Sequence, residues 1–272
     1  MPPETDIWAL AYVEHDSPVA PPTQQHPTWL EAPAGHYFAD PFLTEHQGET
    51  WAFFEDYDLH TQIGHIAASP LKNFQARPAL VRPWHLSYPF LLEHQGELYC
   101  VPEQHQIDRV SLYRCREFPH RWEEEAVLLD NFAGVDPTIA WDGTRWWMWV
   151  GEQSRRARDN TFLFSSQDLR GPWTEHPHSP AVSRTDLARP AGPLWRTPDD
   201  RWVRPVQNRS RTYGGGIALF EIEQLSSNDY HERELLRWDP RPDWPFSQGL
   251  HHVCHLQTVH KTVTIWDAKR IQ

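Results

Sequence analysis

The chain has 272 residues and a formal net charge of −12, and it is rich in three residue types: 15 Trp, 25 Pro and 17 His. So much proline works against a helical protein, because each proline inside a helix costs about 3 kcal/mol. The composition also excludes a collagen, a coiled coil and wholesale disorder. The acidic balance repels phosphate backbones, so nucleic acid is not an expected partner.

The sequence shows no sign of a membrane or a secreted protein. No stretch approaches 18 apolar residues, so we expect neither a transmembrane helix nor a membrane partner. Residues 1–6 lack the basic and apolar regions of a signal peptide. Cys100, Cys115 and Cys254 lack metal-type spacing and are expected to be thiols in a reducing compartment. A cytoplasmic location is therefore predicted.

The predicted elements, in chain order, begin with a strand at residues 7–14, and four segments that open alike follow it. The openings are DPFL from Asp40, YPFL from Tyr88, DPTI from Asp136 and RPAG from Arg189. They lie 48, 48 and 53 positions apart. In each segment a second apolar run ends in a polar residue 15 to 18 positions after the first, namely Glu55, Glu103, Glu152 and Gln207. A fifth, degenerate copy runs from His251 or His252 to Asp267.

Each copy has the pattern of a β-hairpin followed by further strands. Turn residues such as His-Gln-Gly at 46–48 and 94–96 separate two β-rich runs. Four-stranded units with a period of about 50 predict an all-β, five-bladed β-propeller formed as a single domain by residues 1–272. The alternative is a β-sandwich with accidental spacing. The fifth copy lacks its outer strands, so we expect residues 7–14 to complete that blade and close the ring.

The repeat also predicts where the polar side chains meet. The innermost strand of each blade lines the axis, and the hairpin returns the chain to the same rim. The residues expected at one opening are Asp40, Tyr88, Asp136, Arg189 and His251 or His252 on the inner strands, and Glu55, Glu103, Glu152, Gln207 and Asp267 one strand further out. His85, which enters the second blade, joins them. A single Asp-Pro can also be only a turn residue bonded to its own backbone.

Two arginines are expected to bring positive charge to this acidic opening. Arg189 could neutralise Asp40, Asp136 and Glu55 through charge-assisted hydrogen bonds, or it could clamp an anionic group of a substrate. Arg204 is expected at the same mouth. The glycine-rich run at residues 209–216 lacks the features of a phosphate loop and is predicted to be a rim loop or a tight turn before a strand.

The Asp-Pro openings on a five-bladed propeller resemble the glycoside hydrolases of the arabinanase and β-xylosidase type, family 43 and its relatives. The resemblance implies that Asp40 is a general base and that Asp136 tunes the pKa of an acid. The fourth blade holds Arg189 and Gln207 where those enzymes carry the acid, and neither side chain can serve as a general acid. This departure argues against the ordinary hydrolysis mechanism of those enzymes.

A closer resemblance covers most of the chain, from about residue 36 to residue 267. The stretches that carry it are FADPFL, FFED, HLSYPFLL, LYCVPE, FPHRW, GPWTEHP, ARPAG and YGGGIALF. They are similar to the N-terminal propeller domain of glucosamine inositolphosphorylceramide transferases, a domain also found beside bacterial formyltransferase domains. This resemblance implies a propeller more firmly than it implies an activity.

Two functions of different classes follow for a small-molecule or carbohydrate ligand. In the first, the chain is an enzyme acting on a glycoside or a sugar-like substrate, by hydrolysis or as a cyclase, isomerase or lyase of a biosynthetic pathway. The catalytic candidates are Asp40 as base with Asp136 and Glu103, and the other residues of the opening would bind substrate. Glu55 or Glu103 could act as the acid if an apolar neighbour raised its pKa.

In the second function, the chain is a non-catalytic module that binds a glycan or a nucleotide sugar for a partner transferase encoded nearby. No cofactor is expected in either case. A metal site formed by Asp40, His85, Asp136 and His251 or His252 is the open alternative, and mixed histidine and carboxylate ligands would suit Zn, Mn or Fe.

Overall fold

The structure is a computed structural model that describes residues 5–16, 26–155 and 159–272. Its strands, in chain order, begin with β1 (Asp6–His15), β2 (Thr28–Leu30), β3 (His36–His46), β4 (Glu49–Asp58), β5 (Ile63–Pro70), β6 (Arg77–Leu80), β7 (Ser87–His94), β8 (Glu97–Glu103), β9 (Arg109–Glu117) and β10 (Arg121–Asp130). They continue with β11 (Gly134–Trp141), β12 (Trp146–Glu152), β13 (Asn160–Ser166), β14 (Thr174–Glu175), β15 (Val182–Ser183), β16 (Trp195–Arg196), β17 (Trp202–Asn208), β18 (Gly216–Leu225), β19 (Tyr230–Trp238), β20 (Gly249–Gln257) and β21 (Thr262–Ile271). Two short 3₁₀ helices, His105–Ile107 and Gln153–Arg155, complete the described elements.

The strands form five antiparallel sheets, which are the blades of the predicted propeller. Blade 1 has the order β3-β4-β5-β6, and blade 2 has β7-β8-β9-β10. Blade 3 has β11-β12-β13-β14 with β15 also paired to β13, and blade 4 has β16-β17-β18-β19. Blade 5 has the order β20-β21-β1-β2. The five-bladed fold is confirmed, and no helix in the part of the chain described here is long and apolar enough to cross a membrane.

The ring closes through the first strand, as the sequence predicts. β1 pairs antiparallel with β21 along its whole length, from Asp6 opposite Ile271 to His15 opposite Thr262. The Nζ of Lys269 also donates a hydrogen bond to Asp6 at 2.8 Å across this junction. The edge that the last blade would otherwise expose is therefore covered by the N-terminal strand.

The hairpins of the first two blades turn at the predicted His-Gln-Gly sequences. Gln47 and Gly48 have φ angles of 51° and 77°, and Gln95 and Gly96 have 53° and 78°. Positive φ at both central residues is the geometry of a type I′ turn, whose twist matches that of the flanking strands. Each hairpin therefore has a fixed register, which returns the second strand to the rim where the first began.

The X-Pro openings form the same irregularity in three blades. Asp40, Tyr88 and Asp136 adopt φ angles of 52°, 44° and 51°. A residue before proline is usually extended, whereas the residues at these three openings are left-handed. Pairing skips two residues at each of these sites, so each opening is a β-bulge. A bulge turns the side chain of its first residue away from the regular sheet and toward the axis.

Blade 5 carries the matching bulge without a proline. The pairing of β20 with β21 skips from Leu250 to Val253, so the bulge consists of His251 and His252. His251 therefore takes the position that Asp40 has in blade 1, which settles the alternative that the spacing left open. Beside it, the rings of Phe42, Tyr88 and His252 meet edge to face with centroids 4.6 to 5.2 Å apart and form a buried cluster near the axis.

Candidate functional site

Five carboxylates from four blades converge at one end of the axis. They are Asp40, Glu55, Glu103, Asp136 and Asp267, and none is more than 5% exposed. Asp40 and Asp136 lie at the same end, since the charges of Glu103 and Arg189 act on both. Burying so many ionisable groups is costly unless they are paired, hydrogen-bonded or protonated. Their individual partners therefore decide what each can do.

Two of these carboxylates hold the bulges of neighbouring blades. Asp267 of blade 5 accepts hydrogen bonds from the backbone N–H groups of Asp40, His251 and His252 at 2.9, 3.1 and 2.9 Å. Glu103 of blade 2 accepts one from the N–H of Asp136 in blade 3 at 3.1 Å. These side chains satisfy buried backbone donors that the bulges leave without a strand partner. They connect one blade to the next.

Arg189 is bonded to two carboxylates, and only one of them belongs to the set of three that the sequence suggested. Its Nε and Nη2 donate hydrogen bonds to Asp136, and Nη2 also reaches Glu103 at 3.3 Å. Gln207 adds a bond from Nε2 to Asp136 at 3.2 Å. Of the three carboxylates that the sequence suggested as possible partners of Arg189, Asp136 accepts its hydrogen bonds, whereas Asp40 and Glu55 accept none from it. Asp136 is fully buried and held in place by these donors, and burial raises its pKa well above the usual value against the lowering effect of Arg189.

Asp40 and Glu55 are the carboxylates that remain free. Within the described ranges neither side chain accepts a hydrogen bond, and their side chains keep 8% and 7% exposure. Histidines stand next to both: His252 Nδ1 lies 3.6 Å from Asp40, and His85 Nε2 lies 3.6 Å from Glu55. His251 Nε2 is 3.9 Å from Asp40. These two carboxylates are thus available to a ligand that enters the mouth.

The environment pushes the pKa values of these groups apart. Burial raises the pKa of Asp40 to about 6, against a lowering effect of His251, and burial with the charge of Asp40 raises that of Glu55 well above its usual value. Glu103 is the opposite case: burial opposes its ionisation, but the hydrogen bond from His105 and the charge of Arg189 lower its pKa to about 2. Of the two acid candidates, only Glu55 therefore has the raised pKa that an acid role requires.

Aromatic side chains surround the mouth, and sequence reasoning missed most of them. The ring of Trp8 stacks on His251 with centroids 4.0 Å apart, and Tyr213 packs edge-on against both. Across the mouth, Tyr37 stacks on Tyr57 at 4.6 Å, and burial and then the charge of Glu55 raise its pKa. Tyr213 belongs to the glycine-rich run, which is a loop before β18, as predicted.

Three predicted residues have partners of their own. Glu152 accepts hydrogen bonds from the hydroxyl of Ser154 at 2.8 Å, on its own blade. The hydroxyl of Tyr88 is fully buried, bonds Thr138 at 2.6 Å and accepts from the N–H of Gly192 at 3.1 Å. Nδ1 of His85 accepts a hydrogen bond from the N–H of Gly64 at 2.9 Å. Nε2, which lies next to Glu55, is therefore the ring nitrogen that remains available.

The expectation that Arg204 faces the mouth is wrong. Arg204 is fully buried in blade 4, where Nε and Nη2 donate to Glu232 at 2.8 and 2.7 Å and Nη1 donates to the carbonyl of Ala188. Strand alternation explains the difference, because Arg204 is three residues from Gln207 and points to the opposite face of β17. It forms a buried ion pair inside the blade.

The metal set predicted from the sequence does not assemble as a group. His85 is next to Glu55, and Asp136 is bonded to Arg189. The described residues that do bring potential ligand atoms within 4.8 Å of one another are Asp40, His251 and Asp267. Asp267 already accepts three backbone N–H groups, which leaves it few free lone pairs for a cation.

The fold and the site together define the class of this protein: it is a five-bladed propeller with carboxylates and an arginine at its axis. Several solved structures are similar in fold: a putative glycoside hydrolase from Bacteroides ovatus has a TM-score of 0.61 at 13% identity, covering 85% of this chain and 86% of that one. A family 117 glycoside hydrolase from Zobellia galactanivorans has 0.57 at 10%, covering 96% and 91%. A thermostable family-43 glycoside hydrolase has 0.55 at 12%, covering 75% and 77%. At these identities the likeness shows the fold alone.

The family is defined by sequence. Residues 14–239 match the family model "Glucosamine inositolphosphorylceramide transferase 1, N-terminal", and the chain belongs to this family. Glucosamine inositolphosphorylceramide transferase 1 of Oryza sativa subsp. japonica is 32% identical over 209 residues, which are 72% of this chain and 28% of the relative. The protein of the same name from Arabidopsis thaliana is 33% identical over 212 residues, or 74% and 27%. The chain thus spans little more than a quarter of the length of these relatives.

Proposed function

We propose that the chain binds a sugar-like small molecule in the axial mouth and acts on it with Asp40 and Glu55. One observation carries the proposal. Among five buried carboxylates, only these two accept no hydrogen bond from the described residues, and burial raises the pKa of both. Carboxylates held unpaired and reluctant to ionise are costly to the fold, and such sites are typical of acid–base chemistry.

The two pKa shifts suggest how the roles divide. Asp40, with a pKa of about 6, is mostly ionised at neutral pH and can take a proton from a water molecule or a hydroxyl group. Glu55, whose pKa burial raises well above its usual value, is the group that would donate a proton to a departing oxygen. Glu103, Asp136 and Asp267 then position the site, since each is already bonded to backbone or arginine. The same pair could serve hydrolysis, or a cyclisation, isomerisation or elimination.

The aromatic rim supports a sugar-like ligand. Tyr213 and Tyr37 present accessible ring surface close to the free carboxylates, and the buried ring of Trp8 packs behind Tyr213. Aromatic rings of this kind pack against the apolar faces of sugars while polar groups bond the hydroxyls. The relatives carry the name glucosamine inositolphosphorylceramide transferase 1, which agrees with a carbohydrate ligand.

A second candidate function is a binding module that presents a glycan or nucleotide sugar to a partner transferase. The observation that favours it is Arg189, which stands where the related hydrolase fold would place an acid and is committed to Asp136 and Glu103. The short share of the named transferases that the chain covers agrees with such a division of labour.

Turnover assays distinguish the two functions. Chromogenic glycosides and nucleotide sugars are incubated with the wild type and with the Asp40→Asn and Glu55→Gln variants, and binding is measured by calorimetric titration. The matched control is Glu45→Gln, an exposed position on the same strand as Asp40. An enzyme loses roughly 10²–10⁴-fold activity in both site variants and none in the control. Saturable heat without product supports the binding module. If the protein gives no heat and forms no product, both functions are contradicted.

A further inference from the structure

We infer that the mouth contains a subsite for an anionic group, formed by Arg209 beside Tyr213, and that the ligand is therefore a sugar bearing a phosphate or a carboxylate. The inference rests on the proposed function, because it names the ligand class for the same mouth. Arg189, which the sequence suggested as an anion clamp, is already occupied by carboxylates. The residue that binds the anionic group is instead Arg209, the second arginine at this rim.

Arg209 is held at the mouth without an anionic partner of its own. It directly follows β17 and is only half-exposed, and its guanidinium carbon lies 4.8 Å from the ring centroid of Tyr213. Its backbone N–H bonds the carbonyl of Asp186 at 3.0 Å, which anchors the residue in the loop. Across residues 5–16, 26–155 and 159–272, no carboxylate oxygen comes within ion-pair distance of its side chain. The neighbouring Arg211, in contrast, pairs with Asp239.

A second guanidinium faces the same ring. The Arg189 carbon lies 5.9 Å from the Tyr213 centroid, and its Nε and Nη2 are bonded to carboxylates while Nη1 is outside those bonds. Burial, and then the charge of Arg189, lower the pKa of Arg209. The carboxylates of Asp136 and Asp186 have the opposite and smaller effect on this pKa. The charges of Arg189 and Arg209 repel each other, and an oxyanion bound to Arg209 relieves that repulsion.

The free carboxylates give the ligand a direction. An anionic group would be repelled by Asp40 once that carboxylate ionises. The anionic group therefore lies toward Arg209, and a neutral hydroxyl or glycosidic oxygen lies toward Asp40. Phosphate and carboxylate both match the planar fork of a guanidinium, so either group fits the subsite.

The test is titration with four probes: glucose, glucose 1-phosphate, glucuronate and inorganic phosphate, the last followed by ³¹P line broadening. We expect the wild type to bind the two anionic sugars at least about tenfold more tightly than glucose, with a preference that falls as salt rises. Arg209→Met should remove the preference with unchanged melting, and Arg209→Lys should retain part of it. Arg211→Met is the matched control, two residues away, and should retain all of it.

The outcomes separate the subsite from the proposed function. Binding of inorganic phosphate that is lost in Arg209→Met but kept in Arg211→Met supports the subsite even if no sugar binds. Equal binding of glucose and glucuronate, unaffected by Arg209→Met, overturns the subsite and leaves the sugar site standing. An absence of any anion binding that depends on Arg209 also overturns it.

Discussion

Replacing Asp40 with Asn should make the protein more stable at neutral pH while it removes the proposed base. Asn is nearly the same size, tolerates the left-handed conformation of this position, and keeps the backbone N–H that donates to Asp267. The one feature that changes is the ionisable group. Because the wild-type carboxylate is buried without a hydrogen bond, its ionisation costs free energy that the amide does not spend.

The size of the effect follows from the pKa of Asp40. Folding raises this pKa from 3.8 to about 6, so the folded protein binds more protons than the unfolded chain between these pH values. Stability contributed by the group is therefore lost as pH rises through that window. At pH 7 the cost is about 3 kcal/mol, at 1.36 kcal/mol for each pKa unit. For a chain of this size that corresponds to a rise in Tm of about 5–10 °C in the variant.

Differential scanning calorimetry from pH 3.5 to pH 8 measures this difference. The gain should be largest above pH 6 and should disappear below pH 4, where both forms are neutral. Asp108→Asn is the matched control, because Asp108 is also left-handed but is exposed, and it should show no such pH dependence. A destabilised Asp40→Asn protein at pH 7, or a difference that is constant across pH, would refute the reasoning.

Three further predictions concern the ring, the counter-ion and the rim. Deletion of residues 1–15 removes the strand that closes the last blade and should leave the chain unfolded or aggregated, whereas unchanged melting would contradict closure. Arg189→Met leaves Asp136 buried without its ion-pair partner and Glu103 with His105 alone, and it should cost about 3–5 kcal/mol in urea unfolding; a loss under about 1 kcal/mol would rule out this role. Tyr213→Ala should lower sugar affinity roughly 2–10-fold in calorimetric titration while Tm stays within about 2 °C, and an unaltered affinity would exclude a stacking role.

Much of the fold could be predicted because the repeat constrains it strongly. Hairpins of one length, with turns that have a single suitable geometry, return each chain segment to the same rim. This spacing alone identifies residues that converge at the axis, including Asp136 and Arg189. It also identifies the strand at residues 7–14 as the missing part of the last blade.

The division of the carboxylates into bonded and free could not be predicted in this way. Sequence spacing specifies the rim that a residue reaches, whereas the hydrogen bonds depend on side-chain torsions and on the neighbouring blade. Glu55 and Glu103 occupy equivalent positions, yet only Glu103 accepts a backbone N–H from the next blade. The prediction for Arg204 was wrong because the alternation of β17 directs its side chain to the other face, where it bonds Glu232. Tyr213 reaches the mouth from a loop, which has no period to reveal it.

The carboxylates that bond the bulges of a neighbouring blade have a consequence for how such a ring can acquire new chemistry. The repeat places an equivalent residue in each blade, and not every one of these residues needs to bond the neighbouring blade. Asp267 and Glu103 carry the junctions from blade 5 to blade 1 and from blade 2 to blade 3. Glu55, the copy in blade 1, carries none in the described structure and is left beside Asp40. A substitution at a repeat position that makes no bond to the next blade costs the fold little stability. New chemistry in a repeat protein can therefore begin at such a position.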